Sequence, residues 1–383
     1  MTDRPDIQDW LGRQEGAMLA LLEEVVNLDS GSYDKEGVDA VGERFRRFFA
    51  ENGIETAIHP RTQHGDALMA TVPGAGGGNR PIVLMGHRDT VFPKGEAGRR
   101  PFRIEGGRAY GPGVADMKAG LVMNAFVLAA FRHLGGAAAP LVGLITSDEE
   151  IGSPSCRDVI EDTARGARAV FNSEPGRPSG NVVTGRKGGV FLECDLVGKA
   201  AHSGGNFAEG ASAILEAAHK VVALAAVTDL EAGVTLNVGL VSGGQSVNTI
   251  APSCRLGIDL RYVRPPQREA AMARIAAIVE TSTVPGTSAT LTIRGEFLPL
   301  VPDPASTALF DGYREALGTL GLAVEGEFAG GCADSGFTSA VGCPTLCSVG
   351  PVGGKAHSPE EYLEVASLVP RAKGLALAIA RMG

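Results

Sequence analysis

Apolar residues along the chain change their spacing several times, and those changes predict its elements. Between residues 7 and 28 they recur at helical intervals (Leu11, Met18, Leu21, Leu22, Val25, Val26) until Asp29-Ser30-Gly31-Ser32 stops the run. A second helix is predicted over 37–52, strands over 54–58 and 67–72, and a turn at the glycines of 74–78. Three short runs then read as apolar strands, 81–84, 141–145 and 169–171, with a long helical pattern over 118–134 after the first. Each strand runs straight into ionisable residues: His87 and Asp89, then Asp148-Glu149-Glu150, then Glu174. Apolar strands alternating with helices predict an α/β fold, a mixed and largely parallel sheet flanked by helices, whose ligands gather at the carboxyl ends of the strands.

From about residue 185 the pattern differs. A strand over 190–196, a helix over 211–224, strands over 235–241 and 255–262, a helix over 268–279 and a strand over 289–294 make the split βαβ plan of a ferredoxin-like α+β domain. A helix over 305–320, strands over 322–327 and 344–349 and a helix over 366–382 then resume the first alternation. The expected organisation is a discontinuous first domain, 1–184 with 296–383, carrying an inserted domain over 185–295.

Composition narrows the function. At 383 residues the chain exceeds a single core, consistent with two domains. A net charge of -9 without a basic cluster speaks against nucleic-acid or anionic-membrane binding. The N-terminus is polar and acidic, unlike a secretory signal, and no run is expected to be long and apolar enough to span a membrane, so a cytoplasmic location is expected. Six cysteines without regular spacing do not form a disulfide framework.

The residues at the strand ends carry the chemistry. His87, Asp116, Glu150, Glu174 and a late His357 each fall at a strand end or in a glycine-rich loop. Imidazole and carboxylate are ligands for divalent zinc or a similar metal. The set supplies two ions, with Asp116 bridging, Glu150 and one histidine on one ion, and Glu174 and the other histidine on its neighbour. Asp89, two residues past His87 and on the same side of the strand, is placed to orient the imidazole. Glu149, beside a ligand but not needed as one, is the candidate to take a proton from an attacking water and pass it to a leaving amine.

The order His-x-Asp-Thr-Val (87–91), Gly-Pro-Gly-x-Ala-Asp-x-Lys (111–118), Asp-Glu-Glu-Ile-Gly-Ser (148–153), Ser-Glu-Pro (173–175), Gly-Lys-Ala-Ala-His-Ser-Gly (198–204) and His-Ser-Pro-x-Glu (357–361) resembles the dinuclear-zinc exopeptidases and deacylases. That family includes aminoacylases, desuccinylases, tripeptide aminopeptidases and glutamate carboxypeptidases; residues 86–95, 101–103 and 109–113 are most similar to the folate-cleaving glutamate carboxypeptidases. The resemblance implies that His87, Asp116, Glu150, Glu174 and His357 bind two ions, zinc first with cobalt or manganese as alternatives, that Glu149 is the general base and that Asp89 orients a ligand. It implies that His202 reaches a neighbouring subunit's site to stabilise an oxyanion, that Asn248 acts similarly, and that the inserted domain is a lid that also forms a homodimer. Arg294, and after it Arg261, are candidates to clamp a substrate carboxylate; the alternative for both is an ordinary ion pair at a sheet edge, which for Arg261 weighs equally. The expected substrate is a small acyl-amino acid or peptide and the expected product a C-terminal amino acid, glutamate first; another N-acyl amino acid or a di- or tripeptide is the alternative, and a non-catalytic relative is disfavoured because no ligand is missing. Two departures stand out: Met117 follows the bridging aspartate, where relatives often carry an acidic or polar residue after a cis bond, and Cys332 and Ala333 replace the glycine and threonine of the carboxypeptidases, so that Cys332 bears on side-chain preference.

Overall fold

The computed structural model describes residues 3–76, 78 and 80–382, so Gly77 of the glycine turn and the first two residues of the polar N-terminus lie outside the described residues. In chain order the first stretch holds α1 (Pro5–Gly12), α2 (Glu15–Val26), α3 (Lys35–Glu51), β1 (Glu55–His59), β2 (Ala67–Val72), β3 (Ile82–His87) and α4 (Glu96–Arg99). It continues with β4 (Arg103–Glu105), β5 (Arg108–Tyr110), α5 (Ala119–His133), β6 (Leu141–Thr146), α6 (Arg157–Gly166), β7 (Ala169–Asn172) and β8 (Val182–Arg186). Then come β9 (Gly188–Val197), α7 (Ala213–Ala225), β10 (Thr235–Gly243), β11 (Ser253–Tyr262), α8 (Pro265–Glu280) and β12 (Ser288–Phe297). The last stretch is α9 (Pro304–Thr319), β13 (Gly326–Ala329), α10 (Ser335–Ala340), β14 (Thr345–Cys347), β15 (Gly353–Gly354), β16 (Tyr362–Glu364) and α11 (Leu368–Arg381).

The chain divides into two compact units, Met1–Gly185 with Leu300–Ala329 and Ala333–Gly383, and Arg186–Pro299 with Gly330–Cys332. The first is built on an eight-stranded sheet in the order β1-β2-β6-β3-β7-β14-β8-β13. Its centre, β6-β3-β7-β14, is parallel, and β1-β2 and β2-β6 are antiparallel. Both faces of β3 and β6 are covered, so all six residues of each are buried, which is why they read as continuous apolar runs. Helix α5 lies against β2, β3 and β6 and is itself covered by α1, α2, α3 and α11. Its small residues allow close approach: a Cβ on Gly120 would fall 2.0 Å from the Ser173 carbonyl oxygen. A four-stranded sheet, β15-β16-β5-β4, completes this unit.

Three expectations need correction. The run from 7 to 28 is two helices, parted at Arg13 and Gln14, because α1 turns to pack on α11 as well as α5 while its apolar spacing stays in phase with α2. The strand expected over 322–327 forms at Gly326–Ala329 instead; Leu322 and Val324 belong with the helical core of α9 and α11 rather than with a ladder. Val114–His133 is, contrary to expectation, long and apolar enough to cross a membrane by length and composition, but it is the central core helix and almost wholly buried.

The second unit is an antiparallel sheet in the order β10-β11-β9-β12 with α7 and α8 packed on one face. Alternate residues of β9 and β11 (Val190, Leu192, Cys194, Leu196; Leu256, Ile258, Leu260, Tyr262) turn inward to Ala213, Ala217 and Leu224 of α7 and Ala271, Ile275 and Val279 of α8. The connectivity is βαββαβ.

Candidate metal centre

Parallel pairing brings the acidic ends together. His87 lies opposite Thr146 across β3 and β6, and Met85 opposite Asn172 across β3 and β7. His87, the segment 148–150 and Glu174 therefore leave the sheet on one edge. Asp116 arrives from a tight turn, Val114–Lys118, entered through Gly113 at φ 72°. Its peptide bond to Met117 is cis, the conformation that the resemblance implied, here with methionine. His357 comes from the turn between β15 and β16 and sits at φ 62°.

Two triads result. His87, Asp116 and Glu174 form one, and Asp116, Glu150 and His357 the other, with the donor atoms of each within 4.8 Å of one another. Asp116 belongs to both: its Oδ1 lies 3.2 Å from His87 Nε2 and its Oδ2 3.4 Å from His357 Nε2. Glu174 Oε1 is 3.6 Å from His87 Nε2, and Glu150 Oε2 is 3.0 Å from His357 Nε2. The sequence left the pairing open; in the structure Glu174 lies with His87 and Glu150 with His357. Nitrogen and carboxylate donors in this number fit two divalent ions of the zinc, cobalt or manganese kind.

Asp89 works through more than the ring. His87 Nδ1 donates to the Asp89 main-chain oxygen at 3.1 Å, with the Asp89 carboxylate 3.4 Å away, and this leaves Nε2 facing the triad. The carboxylate itself accepts the amides of Glu149 and Glu150, each at 3.1 Å, and the Ser32 hydroxyl at 2.7 Å. Asp89 therefore ties the acidic turn after β6 to the end of β3.

Glu149 is buried, and its Oε2 lies 3.8 Å from His87 Nε2. Burial pushes its carboxyl well above the usual range, and Glu174, Asp334 and Glu150 add to the effect against His87. At His87 burial opposes the charge, but Glu149, Asp116, Asp89 and Glu174 outweigh it and raise the imidazole well above its ordinary value. Hydrogen bonds to Asp116 and Glu150 raise His357 to about 10. Acidic groups thus outnumber the imidazoles in a cluster buried at His87, Glu149 and Glu174 and open at His357, an imbalance that a cation relieves.

The other candidates lie in the second unit. His202 Nδ1 accepts the amides of Gly204 and Gly205, both at 3.1 Å, so the neutral ring carries its proton on Nε2 as an exposed donor. Asn248 lies beside it, its carbonyl accepting the Ser203 amide at 3.0 Å. Arg294 stands where the β9–β12 register shifts and pairs with Glu193; its side chain is 57% exposed. Arg261 grips Asp259 through Nε and Nη2 at 2.8 and 3.0 Å, donates from Nη1 to Cys332 Sγ at 2.8 Å and stacks on Phe191. Cys332 is thereby a partner of Arg261. Both guanidinium groups already hold carboxylates of their own sheet.

Two buried carboxylates were not assigned roles from the sequence. Glu361 accepts the amides of Gly113, Ala115 and Asp116 at 3.0, 2.8 and 2.9 Å, fixing the turn that presents Asp116. Asp334 accepts from Ser153 and, at 3.2 Å, from Thr146 Oγ1; burial raises it to about 7. Both sit in segments that had drawn notice, 357–361 and 330–335, but their partners are distant in sequence.

Residues 83–381 match the model of peptidase family M20/M25/M40. The chain is 30% identical over 371 residues to carboxypeptidase G2 of Pseudomonas sp. (strain RS-16), covering 94% of this chain and 87% of that protein. It is 31% identical over 279 residues to acetylornithine deacetylase of Myxococcus xanthus, covering 66% of this chain and 69% of that one. Among solved structures it resembles an M20 family metallo-carboxypeptidase from Sulfolobus solfataricus with a TM-score of 0.78 at 17% identity, over 95% of this chain and 98% of that one. With matching motifs, a shared fold and two donor triads joined by one aspartate, the chain belongs to the M20/M25/M40 family of metallopeptidases and related amide-bond hydrolases.

Proposed function

We propose that the protein is a zinc-dependent exopeptidase that releases a C-terminal amino acid, glutamate first, from an N-acyl or peptidyl substrate. The observation that carries this reading is Asp116 shared between two triads beside the buried Glu149. His87, Asp116 and Glu174 would hold one ion, and Asp116, Glu150 and His357 the other. When bound, such a pair polarises an amide carbonyl and acidifies a water. Glu149 as the carboxylate takes the water's proton, which its burial helps it to hold, and then as the acid delivers it to the departing amine. Asp89 keeps Glu149 and His87 in mutual position, and His202 offers its Nε2 proton to the carbonyl oxygen as negative charge develops.

Preference for glutamate is supported by the similarity of residues 86–95, 101–103 and 109–113 to folate-cleaving glutamate carboxypeptidases and by the likeness to carboxypeptidase G2. Arg294 is the better candidate for the substrate's carboxylate, because it is exposed and has one partner to exchange, whereas Arg261 is held on several sides; Asn248 would contact the substrate from the neighbouring loop. The likeness to acetylornithine deacetylase favours a second reading, a deacylase for another N-acyl amino acid. A panel of N-acyl-glutamates, acetyl-ornithine, succinyl-diaminopimelate and short peptides, assayed with added zinc for the amino acid released, separates the two. Glu149→Gln should retain two metal ions per chain by elemental analysis and lose about a thousandfold or more in kcat; near-normal turnover would remove Glu149 from the mechanism.

A homodimer through the second unit is part of this proposal. Strand β10 is an edge strand with Leu240 and Val241 exposed, and neighbouring α7 exposes Leu215 and Val222. An edge bearing unpaired backbone groups beside apolar side chains suits pairing with a second copy.

A further inference from the structure

Beside Glu150 the first unit opens into a groove of about 610 Å³, within the size range of sites for small organic ligands. Tyr33 and Val91 stand on its walls 80% and 44% exposed, large apolar side chains left in water at the edge of a proposed metal site. Phe92 and Ile151 extend the same lining. The walls are two loops bonded firmly to each other: the Thr90 amide donates to the Ser30 carbonyl at 2.8 Å, and the Asp29 carboxylate accepts the amides of Gly95 and Ala97 at 2.7 and 2.8 Å. The Phe92 ring is capped by the Arg100 guanidinium 4.7 Å from its centroid. The groove is therefore a formed surface of fixed shape.

Its charge says what it receives. The one cation in the lining among the described residues, Lys94, is already held by Asp34 at 3.3 Å and Glu36 at 3.6 Å. Beyond Glu150, which the proposed ion occupies, the charged residues of the lining among those described are only Asp34 and the Lys94 it pairs with, so the groove itself offers a substrate carboxylate no free cation. An apolar, uncharged group gains by covering Tyr33 and Val91.

The geometry points to this groove as the site that recognises the acyl half of the substrate and selects a neutral, extended apolar acyl group, with Tyr33 and Val91 setting the preference. This inference rests on the reaction proposed above, because an amide straddling the metal site must place its two halves on different sides. The acid-bearing amino-acid half then lies away from the groove, and the acyl half along it.

The test compares N-hexanoyl-, N-acetyl- and N-succinyl-glutamate, or the same three acyl groups on whichever amino acid the panel identifies. The expected order of kcat/KM is hexanoyl above acetyl by about tenfold or more, with succinyl below acetyl. Tyr33→Ala, an exposed change, should lower the hexanoyl-to-acetyl ratio about fivefold or more, and Val91→Lys should raise the succinyl-to-acetyl ratio. A hexanoyl-to-acetyl ratio at or below one, or ratios unmoved by both substitutions, would overturn the assignment. A readout independent of turnover is calorimetric binding of the hexanoyl and acetyl compounds to the zinc-loaded Glu149→Gln protein with and without Tyr33→Ala. Tighter hexanoyl binding that Tyr33→Ala abolishes, together with a zinc-loaded wild-type protein that hydrolyses none of the compounds, would sink the proposed reaction and leave the groove standing. Equal binding of the two would remove the groove.

Discussion

At the scale of single residues, the site depends on carboxylates that hold backbone as much as on those that face a metal. Asp89 and Glu361 between them accept the amides of Glu149, Glu150, Gly113, Ala115 and Asp116, and those five amides position the proposed general base Glu149, the proposed ligand Glu150 and Asp116, which the two triads share. Glu361→Gln keeps the size but replaces one acceptor with a donor directed at those amides. It should weaken metal binding by about 10- to 100-fold, read by competition with a chromophoric chelator, while circular dichroism stays that of the native protein. Unchanged affinity would mean that the turn carrying Asp116 holds itself. The members of the two triads and Glu149 were legible in the sequence as candidates because each follows an apolar strand or lies in a glycine-rich loop. Glu361 and Asp334 were not, because their roles consist of contacts with residues 245 and 181 positions away in sequence.

At the scale of elements, the approach of α5 to the sheet sets how Asp116 meets His87 and Glu174. Gly120, in the first turn of α5, passes the Ser173 carbonyl so closely that a methyl group there would overlap that backbone and crowd the Met117 side chain. Gly120→Ala should cost about 2–3 kcal/mol in urea unfolding, the usual penalty of overpacking, and should depress metal affinity as well, since the shift is transmitted to Asp116 and Glu174. A variant with full stability would show that α5 can slide freely. Legibility followed burial: β3, β6 and β7 and the alternating strands of the second unit stand out by pattern, whereas β4, β5, β15 and β16 are two or three residues long and owe their existence to one another. A pattern also misled over residues 7–28, where two helices share one apolar phase.

At the scale of the whole molecule, the prediction concerns assembly. If β10 and α7 form a dimer surface, Val222→Asp together with Leu240→Asp should shift the protein to a monomer in sedimentation, because buried carboxylates without partners are costly. Turnover should fall in parallel if His202 serves the neighbouring site, and mixing the monomeric variant with a Glu149→Gln partner should then not restore it. A wild-type protein that sediments as a monomer at full activity would end both ideas.

The sequence by itself determined the plan of two units, the strand ends where ionisable residues gather and which residues are candidates there, since these follow from local periodicity and from motifs that lie within a few residues of one another. Tertiary structure decided which glutamate accompanies which histidine, that Asp116 shows one oxygen to each triad, that Arg261 and Arg294 already hold carboxylates, and that Tyr33 stands beside Val91 next to Glu150. The physical reason is the same in each case: these are relations between side chains brought together by strand register and loop packing, and neither is written in the spacing of residues along one segment.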